Sequence, residues 1–142
     1  MLNWIEDELF ISDKCAAILR EADLNGFELW PVKNKNGQQT LQNIKQIKIR
    51  TTAPAGLDLE KTQIKEIDVC RKCRSPIYLV PAQQLTFRES AIRTIQGEIA
   101  KTAELFGAAY GIRKILISRK FYDVILQNGL ERNLKIEPII LE

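Results

Sequence analysis

The chain has 142 residues, 45% of them hydrophobic and 27% charged, with a formal net charge of +3. At this length roughly 70% of the unfolded surface is buried on folding, enough for a core without staples, and the ordinary globular composition makes a folded chain the expectation. Histidine is absent altogether, which removes the commonest general base, the Ser-His and Cys-His nucleophile pairs and the commonest zinc ligand.

In chain order, the stretch MLNWIEDELF has no basic n-region and no long apolar core, so it is not a signal peptide. Residues 9–11 form a short apolar strand, and Ser12 follows in helix N-cap position. The spacing of Cys15, Ile18, Leu19 and Ala22 predicts a helix over 13–22, and Asn25-Gly26 ends it. Phe27, Leu29 and Pro31 then alternate with Glu28, Trp30 and Val32 in a strand. Lys35-Asn36-Gly37 predicts a tight hairpin with a type I′ turn, and Ile47 and Ile49 alternate with charged residues in the strand beyond it. Residues 51–58 (TTAPAGLD) are a loop by their Pro and Gly content. Two strands, one through Ile67 and Val69 and one over 77–80, flank the turn Cys70-Arg71-Lys72-Cys73. Ile92, Ile95, Ile99, Ala103 and Phe106 predict a helix over 88–107, with Gly97 as a break within it. A strand at 115–117, a Ser118 cap, a helix buried through Phe121, Val124 and Ile125, and a strand holding Leu134, Ile136 and Pro138 complete the chain.

The first and last segments read alike. Ser12 matches Ser118, Lys14 matches Lys120, Ile18 matches Val124, Leu24 matches Leu130, and Pro31 matches Pro138. Such a small unit cannot bury its own apolar face, so the expectation is one domain over 1–142 with similar units at 9–32 and 115–139. Between them lie hairpins and the CxxC turn over 33–81. The expected fold class is α+β in two layers, with two strand–helix–strand units packed on a central hairpin-rich sheet. No apolar run exceeds about five residues, against the ~20 of a membrane helix, so a soluble cytoplasmic protein with no membrane partner is expected.

Few residues carry chemistry. There is no glycine-rich phosphate loop, and the seven glycines fall at turns. The expectation is a protein that is not an enzyme. Cys70 and Cys73 are the one sharp motif, because a CxxC turn between strands has the shape of a zinc knuckle. Three readings stay open: a reduced pair with no metal, zinc completed by acids or another chain, and redox chemistry. Cys15 belongs to an apolar stripe and reads as a packing residue. Charge is also uneven. Residues 1–30 hold seven acids against two bases, and residues 31–74 hold ten bases against four acids.

The segments GFELWPV at 26–32, CRKC at 70–73 and ILISRKFYDVILQNGLERNLKIEPIIL at 115–141 resemble the C-terminal part of the double-CxxCG motif proteins. Those proteins, with related immunity families of bacterial polymorphic toxin systems, share a strand, an S-x-K/R helix and a G-F-x-x-x-P-V strand. The likeness covers roughly 9–81 and 97–141. The first CxxCG is missing, and Arg74 stands where its second copy expects glycine. The resemblance implies a non-catalytic bacterial immunity protein that occludes a cognate toxin, without cofactor or with zinc at Cys70 and Cys73, and with homo-oligomerisation open. The acidic N-terminal stretch would complement a basic toxin. Trp4, Trp30 and Tyr110 are the aromatic anchor candidates, with core packing the preferred reading for each. The alternative is a nucleic-acid-binding or regulatory module using the basic span 33–74 with the CxxC turn at its tip; it ranks second, since no stripe of interleaved aromatics accompanies that span.

Overall fold

The computed structural model describes residues 2–5, 8–79, 84–107 and 111–142, the first four as backbone alone. In chain order the elements are β1 (Leu2–Ile5), β2 (Glu8–Ser12), α1 (Asp13–Glu21), β3 (Phe27–Lys33), β4 (Thr40–Ile49), α2 (Leu59–Thr62) and β5 (Glu66–Val69). There follow β6 (Pro76–Tyr78), β7 (Thr86–Phe87), α3 (Glu89–Ile92), β8 (Ile99–Phe106), β9 (Ile112–Ile117), α4 (Arg119–Gln127), a 3-10 turn (Glu131–Asn133) and β10 (Ile140–Leu141). The fold is α+β, as expected. The chain divides into two compact units.

The first unit takes Met1–Thr51, Gly97–Ile99 and Ile117–Ile136. Its antiparallel sheet has the order β1-β2-β4-β3. Side chains alternate across a strand, so Leu9, Ile11 and Ile47 share one buried face. Helix α1 packs there on β2 and β4, burying Cys15, Ala16 and Leu19. Helix α4 buries Phe121 and Ile125, and Phe121 meets Phe27 of β3 edge to face at 6.2 Å between centroids. Both expected caps are present. Ser12 Oγ accepts the Cys15 N–H at 3.3 Å, and Ser118 Oγ accepts the Phe121 N–H at 3.1 Å while donating to the Glu98 carboxylate.

The duplicated opening, strand–Ser–helix, therefore recurs, but the returning strand does not. Leu134, Ile136 and Pro138 lie in irregular chain, because the 3-10 turn redirects the backbone and β10 starts only at Ile140. Of the two matched lysines, Lys120 donates from Nζ to the Asp23 carbonyl just past the end of α1, at 2.9 Å.

Two further expectations are corrected here. The hairpin between β3 and β4 is real, but only Gly37 has positive φ (+68°), and its N–H closes back on the Asn34 carbonyl at 2.8 Å. Both central residues of a type I′ turn need positive φ, so this turn is not one. Asn34 Oδ1 also accepts the Gln38 and Gln39 N–H groups, which spreads the connection over six residues, 34–39. The pair Asn25-Gly26 does not end α1: the helix stops at Glu21 with Ala22 as its C-cap, and Asp23 takes the left-handed backbone, φ +50°. A Cβ on Gly97 would stand 2.8 Å from the Gly26 Cα, and both glycines have positive φ, so two backbones cross where no side chain fits.

The second unit takes Thr52–Gln96, Ala100–Leu116 and Glu137–Glu142. Its sheet has the order β5-β6-β8-β9, and β7 pairs with β10 in a parallel ribbon. Leu57, Tyr78, Phe87 and Phe106 form its core, with Ile64, Leu85, Ile92, Leu116 and Ile139 packed around them. The expected helix over 88–107 is here largely a strand. Only the single turn of α3 is helical, and β8 pairs in parallel with β6 through Ile77–Leu105 and Tyr78–Phe106. A strand covered on both faces carries near-continuous apolar residues, which also satisfy a helical period. Ile99, Ala100, Thr102, Leu105 and Phe106 are all buried, on both faces of β8.

Candidate functional site

The CxxC motif lies in the turn between β5 and β6, as the sequence reading placed it. The turn is held by Cys70 N–H to the Ser75 carbonyl at 2.9 Å and Arg74 N–H to the Cys70 carbonyl at 2.8 Å. Arg74 itself is left-handed, with φ +61°. Left-handed backbone of this kind is adopted most readily by glycine, and here an arginine holds it.

Both thiols are free, Cys70 half-buried and Cys73 exposed, and they lie within hydrogen-bonding reach of each other. The Ser75 hydroxyl, then the Ser75 N–H and the Cys70 thiol, stabilise the Cys73 thiolate, with the Arg113 charge assisting; together they bring this thiol down to about 7. Arg113 is a residue that sequence reading missed. It arrives from β9 and is fixed by donating to the Thr102 carbonyl at 2.6 Å and to the Ala103 carbonyl. Cys15 contrasts with it: at 1% exposure its thiol is pushed up by burial. Among the described residues no group of three or more His, Cys, Asp or Glu gathers in metal-binding geometry, and two cysteines alone fall short of the four ligands of a closed zinc site.

Ser75 also lines a cleft of about 280 Å³ in the same unit, with Gly56, Leu57, Tyr78, Arg88 and Glu104. Glu104 Oε1 accepts the N–H groups of Gly56 and Leu57 at 2.8 and 3.0 Å, and Arg88 Nη2 donates to the Ala55 carbonyl at 3.0 Å. These contacts anchor the irregular 51–58 segment. They pair no nucleophile with a base.

A second feature lies on the first unit's sheet, on the face opposite Leu9, Ile11 and Ile47. Phe10, Gln46 and Trp30 stand in one cross-strand row. Trp30 is 42% exposed, so core packing does not describe it. It is instead braced. Its Nε1–H donates to Glu28 at 2.8 Å, and the cations of Lys48 and Arg50 lie 5.8 and 5.4 Å from its ring centroid. Trp4 and Tyr110, the other anchor candidates, fall outside the described side chains.

The chain matches no family model, curated protein or solved structure.

The charge segregation of the sequence resolves in the first unit. Strand β4 lies between β2 and β3, so Lys48 meets Glu8 at 3.9 Å, Lys45 meets Asp13 at 3.7 Å, and Arg50 meets Glu28 at 2.7 Å. Three acids of residues 1–30 are thus paired with three bases of the next segment. The basic span 33–74 is also divided between the two units. Its cations at the CxxC turn, Arg71, Lys72 and Arg74, are exposed.

Proposed function

We propose that this protein is a non-catalytic binder of a cognate bacterial toxin, an immunity protein that occludes its target through the Trp30 face of the first unit. The observation that carries this reading is a large aromatic side chain, 42% exposed, that is braced by Glu28, Lys48 and Arg50. An ordered aromatic loses little entropy on docking, and Trp and Arg dominate protein–protein hot spots. The neighbouring cations already have carboxylate partners, so the face offers apolar area with a balanced polar rim. That suits the surface of a folded protein more than a phosphodiester chain.

The experiment is co-expression with the toxin domain encoded in the adjacent upstream reading frame. Host growth should be restored and the two proteins should co-purify one to one. Continued killing beside soluble, folded protein would reject the reading.

The nucleic-acid reading keeps one favourable feature, the exposed cations Arg71, Lys72 and Arg74 on the CxxC turn. Its signature would be oligonucleotide binding that weakens steeply with salt.

A further inference from the structure

We propose that Cys70 and Cys73 form a reversible thiol–disulfide couple that exchanges with low-molecular-weight disulfides such as oxidised glutathione, Cys73 being the attacking sulfur and Cys70 the resolving one. The proposal is independent of toxin binding, since it concerns a turn of the second unit.

Three observations lead to it. The two thiols are in mutual hydrogen-bonding reach, so a bond between them needs little movement of the turn. They differ in access: Cys73 is exposed and meets a reagent first, and Cys70 sits half-buried behind it. Finally, the turn that carries them is a defined one, with the Cys70 N–H bonded to the Ser75 carbonyl at 2.9 Å and the Arg74 N–H to the Cys70 carbonyl at 2.8 Å, and Arg71, Lys72 and Arg74 beside the sulfurs are exposed. A structural thiol looks different, as Cys15 does in its apolar helix face.

The step balances as follows. Cys73 thiolate attacks one sulfur of the small disulfide, whose S–S bond breaks; the departing thiolate carries off the electron pair and takes up a proton. Cys70 then gives up its proton and attacks the Cys73 sulfur of the mixed disulfide, expelling the second small thiol. Two protein thiols are oxidised to one disulfide, and one small disulfide is reduced to two thiols. The reverse exchange with excess thiol restores the dithiol.

The test is intact-mass spectrometry of the native chain incubated with oxidised glutathione near neutral pH. The expected product has lost two hydrogens, carries no adduct, and reverts on adding excess glutathione, with Cys15 unmodified. Cys70→Ser should stop at a single glutathione adduct on Cys73, and Cys73→Ser should react at least about tenfold more slowly. Three results would overturn the proposal: no adduct on Cys70→Ser, stable adducts on both sulfurs of the native chain, or co-purifying zinc that protects both thiols. The native chain is read directly, so a variant that misfolds does not leave the matter open.

Discussion

Arg74 occupies left-handed backbone, φ +61°, on an exposed turn where L side chains crowd their own carbonyl. Glycine adopts that conformation without the clash. Arg74→Gly is therefore expected to raise the denaturant midpoint, by about 1 kcal/mol of stability; an unchanged or lower midpoint would mean that the arginine side chain holds the turn. Next to it, Cys73 titrates at about 7 against an ordinary 9.0. The folded value lies below the unfolded one, so the thiolate contacts contribute fully above 9 and are lost as pH falls through 7. The thiol pair was legible because CxxC is a local signal. Arg113 was not, because a strand 40 positions later delivers it, and nothing in its own neighbourhood marks that destination.

At the scale of elements, the strand–Ser–helix openings were readable because a cap is decided within four residues. Ser12 and Ser118 each accept the N–H three positions on. Replacing either with alanine is expected to cost about 1 kcal/mol in equilibrium unfolding. A cost near zero for both would mean that packing of Leu19 and Phe121 alone sets the helix starts. The region 88–107 shows the opposite case. Ile95, Ile99, Ala103 and Phe106 fit a helical period, yet Gly97 at φ +102° starts a new direction and β8 finds β6. Parallel pairing with a strand more than 20 positions earlier is a tertiary event. Local spacing cannot distinguish a helix face from a strand buried on both faces. The second returning strand failed for a related reason: Leu134 and Ile136 alternate, but the 3-10 turn before them leads to no partner strand.

At the scale of the molecule, the composition supported a foldable α+β chain, and that is what forms. Its division was hidden, because segments 97–99 and 117–136 return to the first unit from the far end of the sequence. Charge was misleading in the same way. The acids near the N-terminus and the bases that follow looked like separate surfaces, but β4 lies between β2 and β3 and brings Lys48 to Glu8 and Arg50 to Glu28. Exposed pairs of this kind add little stability, and their main effect here is to leave Trp30 framed by balanced charge. Trp30 lies on the sheet face away from α1 and is dispensable for the packing of Leu9, Ile11 and Ile47. The most direct test is a calorimetric titration of the adjacent-frame toxin domain into the wild-type chain and into Trp30→Ala. The account predicts one-to-one binding by the wild type, at least about tenfold weaker binding by Trp30→Ala, and nearly equal unfolding midpoints for the two. Undiminished affinity in Trp30→Ala, or no binding by the folded wild-type chain, would contradict it.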